Sequence, residues 1–483
     1  MTRLSLTYAP VALLLFTLSA CSTSGPSEPG VDHGADSEWS FFGHDLHNTR
    51  SNTVETAIDR DSVADLQLLW EHTGVETTST PAVVDGVVYF ADWDGRVLAR
   101  SVEDGAEVWA SDVSDTSISA SLAVTDDHVF VGDQAGTFYA LDRQTGVVDW
   151  STPLDDHPDA DILSSAVPVD DILIVGVASA ELVQQKDDYT FRGSIVALAQ
   201  EDGAERWRVY VTQDDETSGA GVSVWSSAAI DTDRKLMFIG TGQTYEEPAS
   251  PMADAVVAID YELGTVKWFR QFTEDDIYTA LMPIPQGPDA DIGAAPNLFT
   301  MRGRDVVGVG DKGGVYAVLD RETGEDIWVT TLGPGTHLGG VMTAAAYHAG
   351  RIFVTQNNWP AGFDPDHLFF PIFEDPENTS DLIALDANNG NILWRVPVAS
   401  PTLGGILYSN GVVYTTHSLG LLRAYDASNG TVLWEDQAGP RAAAGQSISD
   451  GRLFVTHGFT FFAAEDRENQ PGYMGGLRVY ALE

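Results

Sequence analysis

The sequence predicts an all-β fold, an eight-bladed β-propeller, on three observations: a repeating unit that ends in tryptophan, a second hairpin upstream of each copy, and one copy split between the two ends of the chain. The segments "VEDGAEVW", "DRQTGVVDW", "AQEDGAERW", "DYELGTVKW", "DRETGEDIW", "DANNGNILW" and "DASNGTVLW" end in Trp109, Trp150, Trp207, Trp268, Trp328, Trp394 and Trp434. Alternating strands such as "FYALD", "IVALA", "VVAID" and "LIALD" precede them, so the local unit is strand, polar turn with glycine, strand. Upstream stretches such as "TPAVVDGVVYFAD", "AVPVDDILIVGV" and "ILYSNGVVYTTH" read as further hairpins, giving four antiparallel strands per unit. Trp70 in "LQLLWEHT" has no repeat before it, and the C-terminal "LRVYALE" lacks its tryptophan strand. Pairing the Trp70 strand with the C-terminal strand completes an eighth blade and closes the ring without free edges. A repeated indole at this position is expected to fill the wedge between neighbouring twisted sheets.

The tryptophan spacing locates the functional region. Trp70 to Trp109, Trp109 to Trp150, and Trp394 to Trp434 are each separated by about 40 residues, the usual propeller period. The units ending at Trp207, Trp268, Trp328 and Trp394 take 57, 61, 60 and 66 residues. Extra chain in four consecutive blades implies long loops on a rigid ring, where sites are built. The first of these is "GVASAELVQQKDDYTFRGSIVAL", residues 176–198, a hairpin whose turn has been stretched and which carries Glu181 where its first strand ends.

The ends and the charge bear on location and partners. Arg3 precedes the apolar run "VALLLFTLSAC", which is too short to cross a bilayer and ends in small residues, so residues 1–20 read as a leader peptide. "LSAC" resembles the lipobox of bacterial lipoproteins, which implies lipidation of Cys21, a membrane anchor and an extracytoplasmic location. Ser22 points to the periplasmic face of the outer membrane. Residues 21–38 then form a lipidated cysteine with a flexible tether, and 39–483 the propeller. Cys21 is the single cysteine, so the folded part has neither an internal disulfide nor a CxxCH haem motif, and redox chemistry would need a separate cofactor. With 25 Lys+Arg against 72 Asp+Glu the formal charge is −47, a surface that repels nucleic acid. A lysine buried in such a chain would need an anionic partner beside it.

The motifs "WSFFGHDLHNTRSN", "SAEL…TFRGSIVAL", "VWSSAAID", "IGTGQTYEEP", "GPDADIGAAPNLF" and "GDKGGVYAVLDRETGE" together resemble the quinoprotein alcohol dehydrogenases that bind pyrroloquinoline quinone (PQQ), most closely the polyvinyl-alcohol-dehydrogenase-like branch. The resemblance implies that Glu181 ligates calcium at the inner end of a strand and faces the central channel. Gln243 falls where the family places a second oxygen ligand, usually asparagine or aspartate, and Asp291 would complete the metal site. Carboxylate and amide oxygens suit a hard cation. Trp225 matches the indole on which the flat quinone rests, and aromatic stacking suits such a ligand. Asp291 matches the catalytic base, with Asp289 the nearby alternative; a carboxylate can take the hydroxyl proton as hydride leaves carbon. Lys312 matches the cation that contacts and polarises the quinone oxygens.

The chain also departs from the family. Asp188 and Tyr189 stand where polyvinyl-alcohol types carry adjacent cysteines, and "GGVMTAAAY", residues 339–347, lacks a His-Trp pair. The aromatic and proline-rich stretch 356–380 is expected to roof the channel mouth. His337, His348 and His367 are too scattered for a zinc site. The resemblance implies an enzyme that oxidises an alcohol with PQQ and calcium and passes electrons to an external carrier such as a cytochrome c or a quinone. The alternative is a non-catalytic propeller lipoprotein that acts as an outer-membrane assembly scaffold. Convergence of Glu181, Trp225, Asp291 and Lys312 on one cavity discriminates between them.

Overall fold

The computed structural model describes residues 37–213, 218–282, 286–359, 375–460, 467–470 and 472–483. Cys21, the leader and nearly all of the tether lie outside these residues, as do His367 and most of the 356–380 stretch. The described chain folds into eight antiparallel sheets with strands in sequence order. The exception is the closing sheet, in which Leu66–Val75 pairs with Met474–Leu482, followed by Arg452–His457 and Gln446–Ser449. This pairing of the two ends of the propeller is the ring closure expected from Trp70 and "LRVYALE".

Burial falls along each sheet from axis to rim. In the third blade Ile172–Ser179 is buried throughout, whereas Glu205–Tyr210, the tryptophan strand, is exposed or half-buried. The tryptophans work in the wedge between blades. Each indole N–H from Trp70 to Trp394 donates to a carbonyl of the following blade, for example Trp70 to Val102 at 3.0 Å and Trp207 to Tyr261 at 2.8 Å. The indole also lies against the turn glycine of that blade. Gly105, at φ 71°, shows why the turn needs glycine: a Cβ there would come within 2.6 Å of the Trp70 ring. One residue therefore serves the turn and the interblade contact together, which accounts for the recurrence of the pair.

The segment beginning "WSFFGHDLHNTRSN" runs beneath the ring. Its backbone carbonyls accept hydrogen bonds from Val83, Val124, Ile230, Leu298, Tyr347 and Tyr408 in six different blades. Ser51–Asn52 then adds as a parallel edge to Leu407–Ser409. Arg50 is fully buried and donates to the carbonyls of Phe42, Ile406 and Gln446, and burial lowers its pKa to about 9. Phe42 helps to line an axial cavity of about 180 Å³, whose other walls come from the inner edges of all eight blades and include Trp225 and Gly293.

Candidate active site

In an antiparallel meander, the connection from second to third strand and the connection to the next blade emerge on the same face. In the third to fifth blades these connections are the long ones: 180–193, 211–228, 241–254 and 272–296. Isolated bridges Arg192 to Gly221, Gly221 to Thr244 and Thr244 to Ile277 tie them to one another. The enlarged blades thus build one continuous layer over one side of the ring.

Within that layer four of the residues singled out in the sequence meet at the Asp291 carboxylate. The backbone N–H of Gln243 donates to Oδ1 at 3.0 Å, and the Trp225 indole N–H donates to Oδ2 at 3.2 Å. Lys312 Nζ donates to the same Oδ2 at 3.3 Å and lies 2.7 Å from Asp289 Oδ2. Trp225 is half-buried, with its ring pressed on Gly293, where a Cβ would come within 1.7 Å of the indole. The Gln243 side chain turns away to donate to the Tyr278 carbonyl at 3.3 Å. Burial works against the Lys312 ammonium, but Asp289 and Asp291 outweigh it and hold its proton more firmly than in an ordinary lysine. This is the paired lysine that so acidic a chain requires.

Two further aspartates, not marked by the sequence motifs, complete the acidic side. Asp276 accepts the N–H of Ala290 at 2.8 Å and of Asp289 at 3.3 Å, which pins the "DAD" turn that presents Asp289 and Asp291. Asp254 is fully buried, and neither of its carboxylate oxygens has a hydrogen-bond partner among the described residues. Burial first, then the charges of Asp276, Asp291 and Asp289, raise its pKa well above that of an ordinary aspartate. Asp289 is raised as well, by burial and by Asp291, although Lys312 pulls the other way. His337 stacks on Tyr278 at 4.5 Å, and burial lowers its pKa to about 4, so it is neutral near pH 7. No motif marked Asp254 or Asp276, which lie on the two connections that flank the hairpin 255–271 and meet only when it folds.

Glu181 lies elsewhere in the layer, and its carboxylate is turned into its own loop. It sits fully buried in a short 3-10 turn, Ala180–Val183, whose start is capped by Ser179. Its Oε1 accepts from Lys186 Nζ at 2.9 Å and from the Thr190 N–H at 3.2 Å, and its Oε2 accepts from the Phe191 N–H at 3.0 Å. The lengthened hairpin therefore folds around Glu181. Lys186 also reaches Asp159 at 2.5 Å, and His157 Nε2 lies 3.5 Å from Glu181 Oε1. Tyr189, at one of the two positions where the related type carries cysteines, has its hydroxyl 3.2 Å from Thr279 Oγ1 and packs edge-on against Tyr245.

Comparison with known proteins places the chain in a family. Residues 39–334, which carry every loop just described, match the family described as glucose/ethanol/alcohol dehydrogenase, β-propeller domain, of the PQQ type. The chain belongs to that family. Residues 311–478 also match the outer membrane protein assembly factor BamB. A polyvinylalcohol dehydrogenase of Pseudomonas sp is 31% identical over 360 residues, covering 68% of this chain and 56% of the relative. That of Sphingopyxis sp. (strain 113P3) is 29% identical, covering 67% and 55%. The chain thus spans about half the length of these curated relatives. Among solved structures, the quinohemoprotein alcohol dehydrogenase ADHIIG of Pseudomonas putida HK5 superposes with a TM-score of 0.76 at 20% identity, covering 92% of this chain and 80% of that one. At that identity the likeness speaks for the fold.

The residues fit the group for which this PQQ family is described. Trp225 offers a flat indole at the wall of the axial cavity, seated in a cradle that a Cβ at position 293 would fill. Lys312 supplies a cation beside it. Asp254, Asp276, Asp289 and Asp291 outnumber Lys312, and both oxygens of Asp254 are without a hydrogen-bond partner among the described residues, so this side offers the carboxylate oxygens that a hard cation takes. Glu181, by contrast, already has a cation, the Lys186 ammonium.

Proposed function

We propose that this protein is a PQQ-dependent dehydrogenase that oxidises an alcohol, and that Trp225, Asp291, Lys312 and Gln243 form its reaction site. The observation that carries this reading is the convergence of three donors from three different loops on the Asp291 carboxylate, beside an indole that walls the axial cavity. When bound, PQQ supplies the quinone that takes up hydride. Trp225 supports the planar ring system, and Asp291 fixes the indole by its N–H. Asp291 takes the hydroxyl proton; Asp289, with its raised proton affinity, is the second candidate for that role. Lys312 holds both carboxylates and places positive charge where oxygen gains negative charge. Calcium held by Glu181, Gln243 and Asp291 belongs to this reading, and at Glu181 it would have to replace Lys186.

The substrate class proposed is a secondary alcohol, with polyvinyl alcohol suggested by the relatives' names. The electrons are proposed to pass to a carrier such as a cytochrome c or a quinone. The lipobox-like "LSAC" supports an anchor through Cys21 on the periplasmic face of the outer membrane. The match of 311–478 to the assembly factor favours a second reading, a scaffold lipoprotein without catalysis.

Titration of the purified protein with PQQ, followed by tryptophan fluorescence, tests the first reading. Saturable quenching that is weakened in Trp225→Ala, with dye-coupled alcohol oxidation lost in Asp291→Asn, is the expected result. Absence of PQQ binding with or without calcium would overturn it in favour of the scaffold.

A further inference from the structure

We infer that Lys186 is the resident cation of Glu181 and competes with a divalent metal ion for it, with Asp159 as the second seat to which the ammonium retreats. The inference deepens the reading above, in that it takes Glu181 as the place where a metal would bind.

The geometry supports an exchange between two cations. Lys186 Nζ lies 2.9 Å from Glu181 Oε1 and 2.5 Å from Asp159 Oδ2, so it bridges two carboxylates. One is fully buried and the other only half-buried, at 0% and 18% side-chain exposure. Lys186 itself is 25% exposed on a long flexible stem, so it can move toward solvent without dismantling a core. Charge-assisted hydrogen bonds of this length favour the ammonium where it stands.

The seat itself is suited to a metal. Ligand atoms of His157, Asp159 and Glu181 all lie within 4.8 Å of one another. The Asp159 N–H donates to His157 Nδ1 at 3.2 Å, so a neutral imidazole carries its proton on Nε2, which faces Thr190 Oγ1 at 3.1 Å and Glu181. With its proton on Nε2 the ring donates to Thr190 Oγ1 and lies beside Glu181 Oε1, so the carboxylates remain the main cation ligands. An ion that displaces Lys186 would take its place at Glu181 Oε1, the atom that also accepts the Thr190 N–H. Glu181 Oε2 keeps its hydrogen bond from Phe191 in either state, so the loop need not unfold when the cations exchange.

The test uses the chelator-stripped full chain and calcium ion alone, titrated by calorimetry, with terbium luminescence as a second readout. Lys186→Met removes the competitor and leaves Glu181 with its two backbone donors, so calcium affinity is expected to rise by about tenfold or more. Asp159→Asn removes the second seat, confines the ammonium to Glu181, and should weaken calcium binding severalfold. Adding Glu181→Gln to Lys186→Met should abolish the gain, with circular dichroism showing the fold retained. Equal affinities of the parent and Lys186→Met, or no calcium binding by either, would overturn the inference. PQQ titration of the same proteins separates the two ideas: competition at Glu181 without PQQ binding sinks the cofactor reading alone, and PQQ binding with equal calcium affinities sinks the competition alone.

Discussion

Asp291 and Trp225 depend on each other, and their immediate support is a glycine. The indole rests on Gly293 so closely that Gly293→Ala must push the ring toward the cavity. That substitution should weaken PQQ binding by about tenfold with circular dichroism unchanged, because what is lost is a stacking surface. Asp254 lends itself to a pH experiment in the metal-free protein. Its folded pKa is raised above the ordinary value of 3.8, so the folded state binds more protons than the unfolded one as pH climbs past that value. Stability is therefore full below it and is lost as pH rises toward the folded pKa. Asp254→Asn, which cannot ionise, should melt above the parent at pH 8, with the gap closing toward pH 4. A gap that stays constant with pH would contradict this assignment.

The stretched hairpin is the element whose local logic is most complete. Its extra residues would be an expensive loop unless something inside repaid the lost chain entropy. Glu181 does so by accepting from Lys186, Thr190 and Phe191 at once. Glu181→Ala leaves those donors without their acceptor and is expected to destabilise the fold by about 2–3 kcal/mol, less than a fully buried pair because Lys186 is partly solvated. Limited proteolysis should then cut first within 183–193. Asp276 plays the corresponding part for the loop before the fifth blade. Asp276→Ala should lower kcat of the PQQ-loaded protein by loosening Asp289 and Asp291, and should weaken PQQ binding less than Trp225→Ala does, because the indole itself is retained.

The ring as a whole is closed by strands from opposite ends of the propeller. Truncation before Met474 removes the partner of both Leu66–Val75 and Arg452–His457 and exposes two sheet edges. Size-exclusion chromatography of that truncation is expected to show aggregate in place of a monomer-sized peak. The segment at 39–52 is a second closure, crossing beneath six blades, held by Arg50 and lining the cavity with Phe42. Arg50→Met would leave the Ile406 and Gln446 carbonyls without their buried donor, and should lower the melting temperature without altering the upper face.

By itself the sequence determined the ring: the tryptophan repeat, its glycine partner and the two incomplete ends are local patterns, and local patterns are written in consecutive residues. It also marked which blades carry long connections, since added length shows directly as spacing, and it singled out Trp225, Gln243, Asp291 and Lys312 through motifs that the fold brings together. The seating of Glu181 was decided only in three dimensions. A carboxylate at a strand end can turn to the channel or into its own loop, and Lys186 with Asp159, from separate connections, draws it inward. Asp254 and Asp276 were equally illegible among so many acids. Their part rests on burial and on long-range proximity, and neither quantity exists until the blades have closed into a ring.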